Sequence, residues 1–287
     1  MSRIAYVNGR YVRHAEAAVH VEDRGYQFAD GVYEVCEIKK SAVIDMPGHM
    51  NRLVRSLKEL QIAMPTTRQA MEMIIKEVTR RNKIVNGIVY LQVTRGVARR
   101  DHVFPGAGVR PALVITAKSI DPGIGDKKAE KGIGVITVPD NRWERVDIKS
   151  VSLLPNVLAR QKAKEAGAGE AWFVDTDGNV TEGGATNAWI VTKDGELVTR
   201  PAEAGILRGI TRTTALKVAE KLGYSVTERK FSVEEALDAK EAFITAASTI
   251  VMPVVTIDGQ PVGNGHPGEM ATELRSHYHE VADKDAL

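Results

Sequence analysis

One candidate for a chemically active residue is Lys149, which has apolar neighbours in the run Asp147-Ile148-Lys149-Ser150-Val151. A desolvated lysine amine loses its proton more easily than an exposed one and becomes a nucleophile. A lysine in such a run more often extends its ammonium to solvent along an apolar surface. The residues alone leave both interpretations of Lys149 open.

Two segments have the features of anion-binding sites. Gly205–Arg212 leads a glycine-containing loop into a helix N-terminus, where free amides and the helix dipole favour a phosphate. The Thr211 hydroxyl would bind that anion or cap the helix, and capping without a ligand is the competing interpretation. Arg95–His102 concentrates cations in a loop after a predicted strand. A solvated basic loop is the default there, and recognition of a carboxylate by arginine is the alternative.

A third candidate segment, Thr181–Asn187, contains a carboxylate. Thr181–Asn187 directly follows a predicted hairpin strand, and its glycines permit a bound group to approach the backbone closely. Glu182 lies in that segment, although a plain surface loop fits the pattern equally well. An amine, a phosphate site and a carboxylate are what pyridoxal phosphate requires: a lysine bonds the cofactor, the phosphate site anchors it, and an acid keeps its ring nitrogen protonated.

The elements that would position these residues are a mixture of strands and helices. Asn8-Gly9 predicts a hairpin turn between two β runs, and a capping box at Thr66 and Gln69 predicts the start of a helix. Further strands are expected at 87–93, 112–117, 132–138, 243–245 and 252–257, helices at 155–166, 213–222 and 269–281, and hairpin turns at 177–178 and 194–195. The mixture predicts an α/β or α+β fold.

Length and composition predict two domains in a protein of ordinary globular type. The chain has 287 residues, of which 43% are hydrophobic and 26% charged. A stretch rich in glycine, proline and charge at 119–131 is expected to connect an N-terminal domain, 1–118, to a C-terminal domain, 132–287.

Several classes of function are disfavoured. A net charge of +2 lacks the broad basic surface of a nucleic-acid binder, and no apolar run is long enough to cross a membrane. The start of the chain lacks a secretory signal, and the lone Cys36 cannot form an intrachain disulfide, so we expect a cytoplasmic location. No arrangement of metal ligands is convincing, and no metal is expected.

Five motifs occur in a fixed order along nearly the whole chain: Asp30–Val35, Val93–Gly96, Asp147–Ser150, Thr181–Gly183 and Gly209–Arg212. Together they resemble the fold-type IV, or class IV, pyridoxal-phosphate aminotransferases, and within them the D-amino-acid aminotransferases of bacteria. The resemblance implies the two-domain architecture of that fold type. It also implies that Lys149 holds the cofactor as a Schiff base and shuttles the substrate proton, and that Glu182 pairs with the pyridine nitrogen.

The resemblance assigns the cofactor phosphate to residues that are distant in sequence. Arg52 matches the phosphate arginine of the family, and Ile210 with Thr211 matches the amides and hydroxyl at a helix N-terminus. One position departs from the pattern, because Ala247 stands where relatives often carry a threonine. Ser248 is expected to supply the hydrogen bond instead, with Thr249 as the alternative.

Substrate recognition is implied in the same way. Tyr33, Arg100 and His102 match the residues that bind the α-carboxylate in the D-specific branch, and Tyr90 matches a substrate-side tyrosine. In that branch some of these groups reach across a homodimer interface, so a homodimer with the site near the interface is expected. An arginine held in a fixed position would decide which enantiomer presents its Cα–H to Lys149.

The function expected from the resemblance is transamination between a D-amino acid, such as D-alanine, and a 2-oxo acid, 2-oxoglutarate or pyruvate. Three alternatives stay open. A branched-chain L-amino-acid aminotransferase and an aminodeoxychorismate-type lyase share the fold and the lysine. A non-enzymatic vitamin-binding protein would keep the phosphate site, but it would not need Arg100 and His102.

Overall fold

The computed structural model describes residues 3–203 and 205–287, in which strands and helices intermix along the chain as predicted. The strands are β1 (Ile4–Val7), β2 (Arg10–Arg13), β3 (Gly31–Lys39), β4 (Ala42–Ile44), β5 (Gly87–Thr94), β6 (Ala112–Ser119), β7 (Ile133–Pro139), β8 (Glu170–Val174), β9 (Val180–Gly183), β10 (Asn187–Val191), β11 (Leu197–Thr199), β12 (Val226–Glu228), β13 (Glu241–Ala246), β14 (Ile250–Ile257), β15 (Gln260–Pro261) and β16 (Lys284–Ala286). The helices are α1 (Arg24–Phe28), α2 (Met46–Glu59), α3 (Arg68–Arg81), α4 (Pro122–Lys131), α5 (Leu154–Glu165), α6 (Ile210–Lys221), α7 (Val233–Asp238) and α8 (Glu269–Val281), with a 3₁₀ turn at His14–Glu16. The mixed α/β fold class is confirmed.

Internal contacts divide the chain into two compact units. Unit 1 comprises Met1–Pro122, Ile148–Ser152 and Asp283–Leu287, and unit 2 comprises Gly123–Asp147 and Leu153–Ala282. Unit 1 therefore takes in two short segments from later in the chain, one of which contains Lys149. Most of the expected connection, 119–131, is the helix α4. The proposed domain boundaries at 118 and 132 stay a prediction.

Unit 1 is built on an antiparallel sheet with the strand order β16-β4-β3-β5-β6-β1-β2. The predicted N-terminal hairpin is confirmed: β1 pairs with β2, and Asn8 and Gly9 have φ angles of 45° and 93°. Positive φ at both positions is what a type I′ turn requires, and Asn-Gly tolerates it best.

Helices α2 and α3 supply the apolar side chains of the unit 1 core. Leu53 and Leu57 of α2 lie four residues apart on one face of the helix and are both buried, and α2 packs against β3. The predicted capping box at Thr66 is wrong by one residue. Thr67 is the N-cap of α3, because its hydroxyl accepts a hydrogen bond from the Ala70 amide at 3.2 Å.

The two faces of strand β3 differ in burial and in the residues that they carry. Side chains alternate along a strand, and every second position from Val32 to Ile38 is buried in the core. Glu34 occupies one of these buried positions. Tyr33, one residue earlier, projects from the opposite face and is only half-buried.

Unit 2 contains a mixed sheet with the strand order β12-β11-β10-β13-β14-β7-β8-β9, to which β15 adds beside β14. The hairpins predicted at 177–178 and 194–195 connect β8 with β9 and β10 with β11. Helix α8 has the predicted bounds, Glu269–Val281, whereas α6 begins at Ile210, three residues before its predicted start. Within the described residues, no helix has both the length and the apolar character needed to cross a membrane.

Candidate active site

The backbone of Lys149 is fixed against strand β3. Its carbonyl accepts a hydrogen bond from the Tyr33 amide at 3.0 Å, and its amide donates to the Ser56 hydroxyl at 3.3 Å. Val151, two residues on, donates its amide to the Gly31 carbonyl at 3.0 Å. This short segment therefore runs beside the strand, and the start of the Lys149 side chain is held in place.

The Lys149 amine has an aromatic neighbour. Its Nζ lies 4.2 Å from the centre of the Tyr33 ring. None of the hydrogen bonds or ion pairs within residues 3–203 and 205–287 uses this ammonium, although the residue is half-buried. Lys149 is therefore neither a fully exposed lysine nor one neutralised by a carboxylate within the described residues.

Tyr90 packs against Tyr33, the aromatic neighbour of Lys149. Their rings stack with centroids 5.7 Å apart, and the Tyr90 hydroxyl donates to Gln92 Oε1 at 2.6 Å. Burial and, to a smaller extent, the neighbouring Tyr33 raise the pKa of Tyr90 to about 12. Tyr90 therefore keeps its proton at neutral pH and acts as a hydrogen-bond donor.

Arg52 is anchored by a buried acid. Its Nε and Nη2 each donate to Glu34 at 2.7 Å, and His49 on the same helix lies 2.7 Å from Glu34 Oε2. Burial alone would raise the pKa of Glu34, but the charge of Arg52 and hydrogen bonds from Arg52 and His49 outweigh it and lower the pKa to about 2. Glu34 is thus a permanent anion that orients Arg52.

Arg100 and His102 share one aromatic neighbour. The guanidinium carbon of Arg100 lies 4.9 Å from the centre of the Phe28 ring, and the His102 ring lies 5.3 Å from it. Both side chains are exposed. The structure therefore brings the two predicted carboxylate-binding residues together at one surface.

In unit 2, Glu182 is buried on β9 and accepts hydrogen bonds at both of its carboxylate oxygens. Arg142 Nη1 donates to Oε1 at 2.5 Å, and Oε2 accepts from Asn187 Nδ2 at 3.0 Å and from the Leu207 amide at 3.1 Å. Asp140 accepts from the other side of the Arg142 guanidinium at 2.7 and 2.9 Å. The surface-loop interpretation of Glu182 is therefore wrong.

Asn187 also ties Glu182 to the segment that leads into α6. Its Nδ2 donates to the Leu207 carbonyl at 2.9 Å, and a side chain at Gly209 would meet Asn187 Oδ1 at 2.0 Å. The N-cap of α6 is Gly209, without a side-chain cap, and Ile210 and Thr211 form the first turn. Thr211 is therefore not the capping residue, and no side-chain hydrogen bond caps the first turn within residues 3–203 and 205–287.

The turn between β13 and β14 contains the third predicted phosphate contact. Ser248 is exposed, whereas Thr249 Oγ1 is buried and has no hydrogen-bond partner within the described residues. The next residue, Ile250, has a φ of 60°, which is strained for a β-branched side chain. A buried hydroxyl without a partner is uncommon, and it makes Thr249 a second candidate beside Ser248.

Three participants were missed in the sequence: Glu34, Arg142 and Asn187. Glu34 carried a signal, because it interrupts an otherwise apolar face of β3 and a buried acid requires partners. Arg142 carried none, and Asn187 lay in the candidate segment Thr181–Asn187 without an assigned role, since the contacts of both with Glu182 depend on tertiary structure. Within the described residues, no cluster of side chains could hold a metal ion.

Comparisons with known proteins identify the family to which this chain is similar. Residues 31–257 match the family model described as amino-transferase class IV. The chain is 40% identical to the D-alanine aminotransferase of Bacillus licheniformis, over 94% of this chain and 93% of that protein. It is 38% identical to the D-alanine aminotransferase of Staphylococcus haemolyticus, over 97% of each.

Solved structures with the same fold include branched-chain amino acid aminotransferases. That of Escherichia coli has a TM-score of 0.89 at 25% identity, covering 98% of this chain and 95% of that one. Another, from T.th. and solved with pyridoxamine 5'-phosphate, has a TM-score of 0.89 at 28% identity, covering 98% and 94%. The match of the family model to most of the chain, and of relatives to nearly all of it, shows that this protein belongs to the class IV aminotransferase family.

Proposed function

We propose that this protein is a pyridoxal-phosphate-dependent D-amino-acid aminotransferase, which transfers the amino group of a D-amino acid such as D-alanine to 2-oxoglutarate or pyruvate. The observation that carries the proposal is similarity to D-alanine aminotransferases over nearly the full length of the chain. The lysine beside Tyr33 and the buried, ionically paired Glu182 fit that chemistry.

The side chains fit pyridoxal phosphate in three respects. The Lys149 amine has no ionic partner within the described residues, the first turn of α6 lacks a side-chain cap, and the buried Thr249 hydroxyl lacks a hydrogen bond there. The residues proposed to hold the cofactor are Lys149, Arg52, Glu182, Ile210, Thr211 and Ser248, with Thr249 as a further candidate. When bound, the cofactor supplies a ring that takes up the electron pair released when the substrate Cα loses its proton.

Lys149 is the proposed acid–base group. Its amine would bond the cofactor and, once free, would accept the proton of the substrate Cα and return it to the cofactor carbon that carries the substrate nitrogen. The Tyr33 ring lies 4.2 Å from Nζ and orients the amine. A carboxylate in that position would neutralise the charge of the amine, whereas the ring does not. Glu182 supplies the negative charge that keeps a proton on the ring nitrogen, and Arg142 with Asn187 fixes its two oxygens.

Arg100, His102 and Tyr33 are the proposed ligands of the substrate α-carboxylate, with Tyr90 beside them. Arginine holds a carboxylate through two parallel charge-assisted hydrogen bonds, which fixes the direction of the substrate as well as its position. The amino acid and the 2-oxo acid present the same carboxylate, so one set of groups serves both half-reactions.

The proposed assembly is a homodimer in the cytoplasm, in which the Arg100 loop serves the partner's site. Helix α5 exposes three apolar side chains at helical spacing, Leu154, Val157 and Leu158, which are 69%, 58% and 54% exposed. Residues three and four apart lie on one face of a helix, so these form a continuous apolar strip suited to burial by a second copy.

Purified protein loaded with cofactor and offered D-alanine, L-alanine or L-leucine with 2-oxoglutarate tests the proposal. We expect pyruvate from D-alanine, and turnover of both L-substrates lower by a factor of a hundred or more. That factor corresponds to the loss of two contacts in the transition state, each contributing about 1.4 kcal/mol. Preference for L-leucine would overturn it in favour of the branched-chain alternative. The solved branched-chain enzymes support that alternative as fold relatives.

A further inference from the structure

Arg24 is a buried arginine whose guanidinium contacts the loop that carries Arg100 and His102. It lies in α1, where its Nη1 donates to the Asp101 carbonyl at 2.6 Å and its Nη2 to the His102 carbonyl at 3.5 Å. Its Nε donates to Asp30 at 2.7 Å, and the whole residue is only 3% exposed. Arg24 thus joins a partly buried acid to the backbone on the C-terminal side of Arg100.

Asp30 holds a second arginine on the other side of the same loop. Arg95 donates to both oxygens of Asp30, at 2.7 and 2.9 Å. The guanidinium carbon of Arg95 lies 3.7 Å from the centre of the Phe104 ring. One acid, through two arginines, therefore contacts the loop at the start, at 101–102 and at Phe104. Burial alone would raise the pKa of Asp30, but hydrogen bonds and charge from Arg95 and Arg24 outweigh it and lower the pKa.

Phe28 connects Arg24 to the exposed side chains of the loop. The centre of its ring lies 4.8 Å from the guanidinium carbon of Arg24, 4.9 Å from that of Arg100 and 5.3 Å from the His102 ring. An exposed arginine loses rotamer freedom when it is held in one geometry, and stacking on a fixed ring removes part of that freedom before a ligand binds. Arg24 and Phe28 therefore fix the loop through its backbone and through its side chains.

We propose that Arg24 is a positioning residue for substrate recognition: anchored by Asp30, it fixes the backbone at Asp101 and His102 and so preorganises Arg100 and His102 for a carboxylate. The inference rests on the proposed role of Arg100 and His102. A largely buried charged cluster is a costly way to hold a surface loop, because desolvation offsets much of its attraction. A requirement for one exact loop geometry gives that cluster a reason to exist.

The test uses Arg24→Lys in the cofactor-loaded enzyme. Lysine keeps the positive charge near Asp30, but it lacks the planar fork that reaches the acid and two carbonyls at once. We expect KM for D-alanine and for 2-oxoglutarate to rise about tenfold, kcat to change less than about threefold, and cofactor affinity and absorption spectrum to stay as in the wild type. Equal losses in kcat and cofactor affinity would show a merely structural role and overturn the proposal.

Phe28→Leu is the second variant, in case Arg24→Lys folds poorly, and the same split between KM and kcat is expected of it. Arg229→Met is the matched control: Arg229 also donates to a backbone carbonyl and to a carboxylate, at 3.0 Å each, away from the loop. Its KM values should stay within about twofold of the wild type, the scatter of a neutral surface change.

A double-mutant cycle separates this inference from the proposed function. If Arg24 acts through Arg100, Arg24→Lys should add little to the KM of Arg100→Ala. Full additivity, or a normal KM for both Arg24→Lys and Phe28→Leu when Arg100→Ala raises it, would overturn the positioning role alone. A normal KM in Arg100→Ala itself would overturn the substrate role of Arg100, and the inference with it.

Discussion

Arg52 donates two parallel hydrogen bonds to the two oxygens of Glu34, each 2.7 Å long, and Glu34 is fully buried. A two-pronged contact of this kind fixes the plane of the guanidinium as well as its position. His49 contributes a third contact to the same acid at 2.7 Å. An arginine proposed to bind a phosphate is therefore already oriented by the core before any phosphate arrives.

Glu34→Gln should destabilise the protein by about 3 kcal/mol, because it leaves the buried charge of Arg52 without its anion. The folded-state pKa of Glu34 is about 2 and the ordinary value is 4.5, so its contribution is complete above about pH 4.5 and is lost as the pH falls toward 2. In urea unfolding at several pH values, the variant should be less stable at pH 7 and lose less stability on acidification.

Glu77→Gln is the control for this prediction. The pKa of Glu77 is also lowered to about 2, through hydrogen bonds from Arg80 and Arg81, but its contacts lie at the surface. Solvent and salt screen such pairs, so little change in stability is expected. Equal effects of the two substitutions would contradict the importance of burial at Glu34.

Borohydride treatment of the cofactor-loaded protein should attach the cofactor permanently to a peptide that contains Lys149. Reduction makes the bond between an amine and the cofactor stable, so mass spectrometry reports which lysine carried it. Lys149→Ala should give no adduct and no multiple turnover. An adduct on the exposed Lys162 of α5 in the wild type would refute the assignment.

Arg142→Met should raise the dissociation constant of the cofactor about tenfold, the effect of losing about 1.4 kcal/mol. The substitution removes a charged donor to Glu182 and leaves that carboxylate less firmly placed. Arg142→Lys should recover part of the affinity, since it restores charge without the fork geometry. Fluorescence titration of cofactor-free protein measures the constant. Arg145→Met removes a surface pair with Asp147 and should leave it unchanged.

The difference between what the sequence predicted and what only the structure revealed follows the range of the interactions. The turns at Asn8-Gly9 and 194–195 and the bounds of α8 depend on local backbone chemistry, and they were predicted. Glu182 was predicted to be the carboxylate of the cofactor site, but its pairing with Arg142 was not predicted. That contact joins residues 40 positions apart, and no local pattern encodes it.

Helix starts show a similar limit at short range. Thr66 and Thr67 are adjacent, and both could cap α3; the backbone conformation at Thr67 decides between them. The start of α6 at Ile210 was placed too late, because Gly209 caps it without a side chain and left no capping signal to recognise. The absence of a capping side chain at Gly209 indicates a candidate anion site, since first-turn amides without a capping oxygen are suited to bind an anion.

Arg100→Ala should lower kcat/KM for D-alanine by a factor of about ten to a hundred, because a hydrogen bond to a charged group contributes roughly 1.5–3 kcal/mol. The 2-oxo acid half-reaction should suffer similarly, while cofactor affinity should not change. Arg100→Lys should be partly active. The neighbouring exposed Arg99 offers a matched control, and Arg99→Ala should behave as the wild type. Unaffected half-reactions in Arg100→Ala would refute the carboxylate role.

Mixed dimers test whether Arg100 serves its own chain or the partner's site. Lys149→Ala removes the amine and Arg100→Ala removes the carboxylate ligand, and two different affinity tags allow the dimer with one chain of each to be isolated. If Arg100 acts across the interface, that dimer retains one complete site out of two. It should show about half the wild-type kcat with a wild-type KM for D-alanine. Action within one chain predicts the raised KM of Arg100→Ala instead.

The reciprocal dimer distinguishes the two arrangements a second time. One chain carries both substitutions and its partner is wild type, so the intact Lys149 faces a substituted loop only if the loop comes from the partner. Action across the interface then predicts poor activity, and action within one chain predicts about half the wild-type kcat. The two dimers contain the same substitutions in the same number, so a difference between them cannot come from a loss of stability in either variant. Higher activity in the second dimer than in the first would rule out a contribution of Arg100 to the partner's site, and equal activity in both would rule out a role of Arg100 in either site.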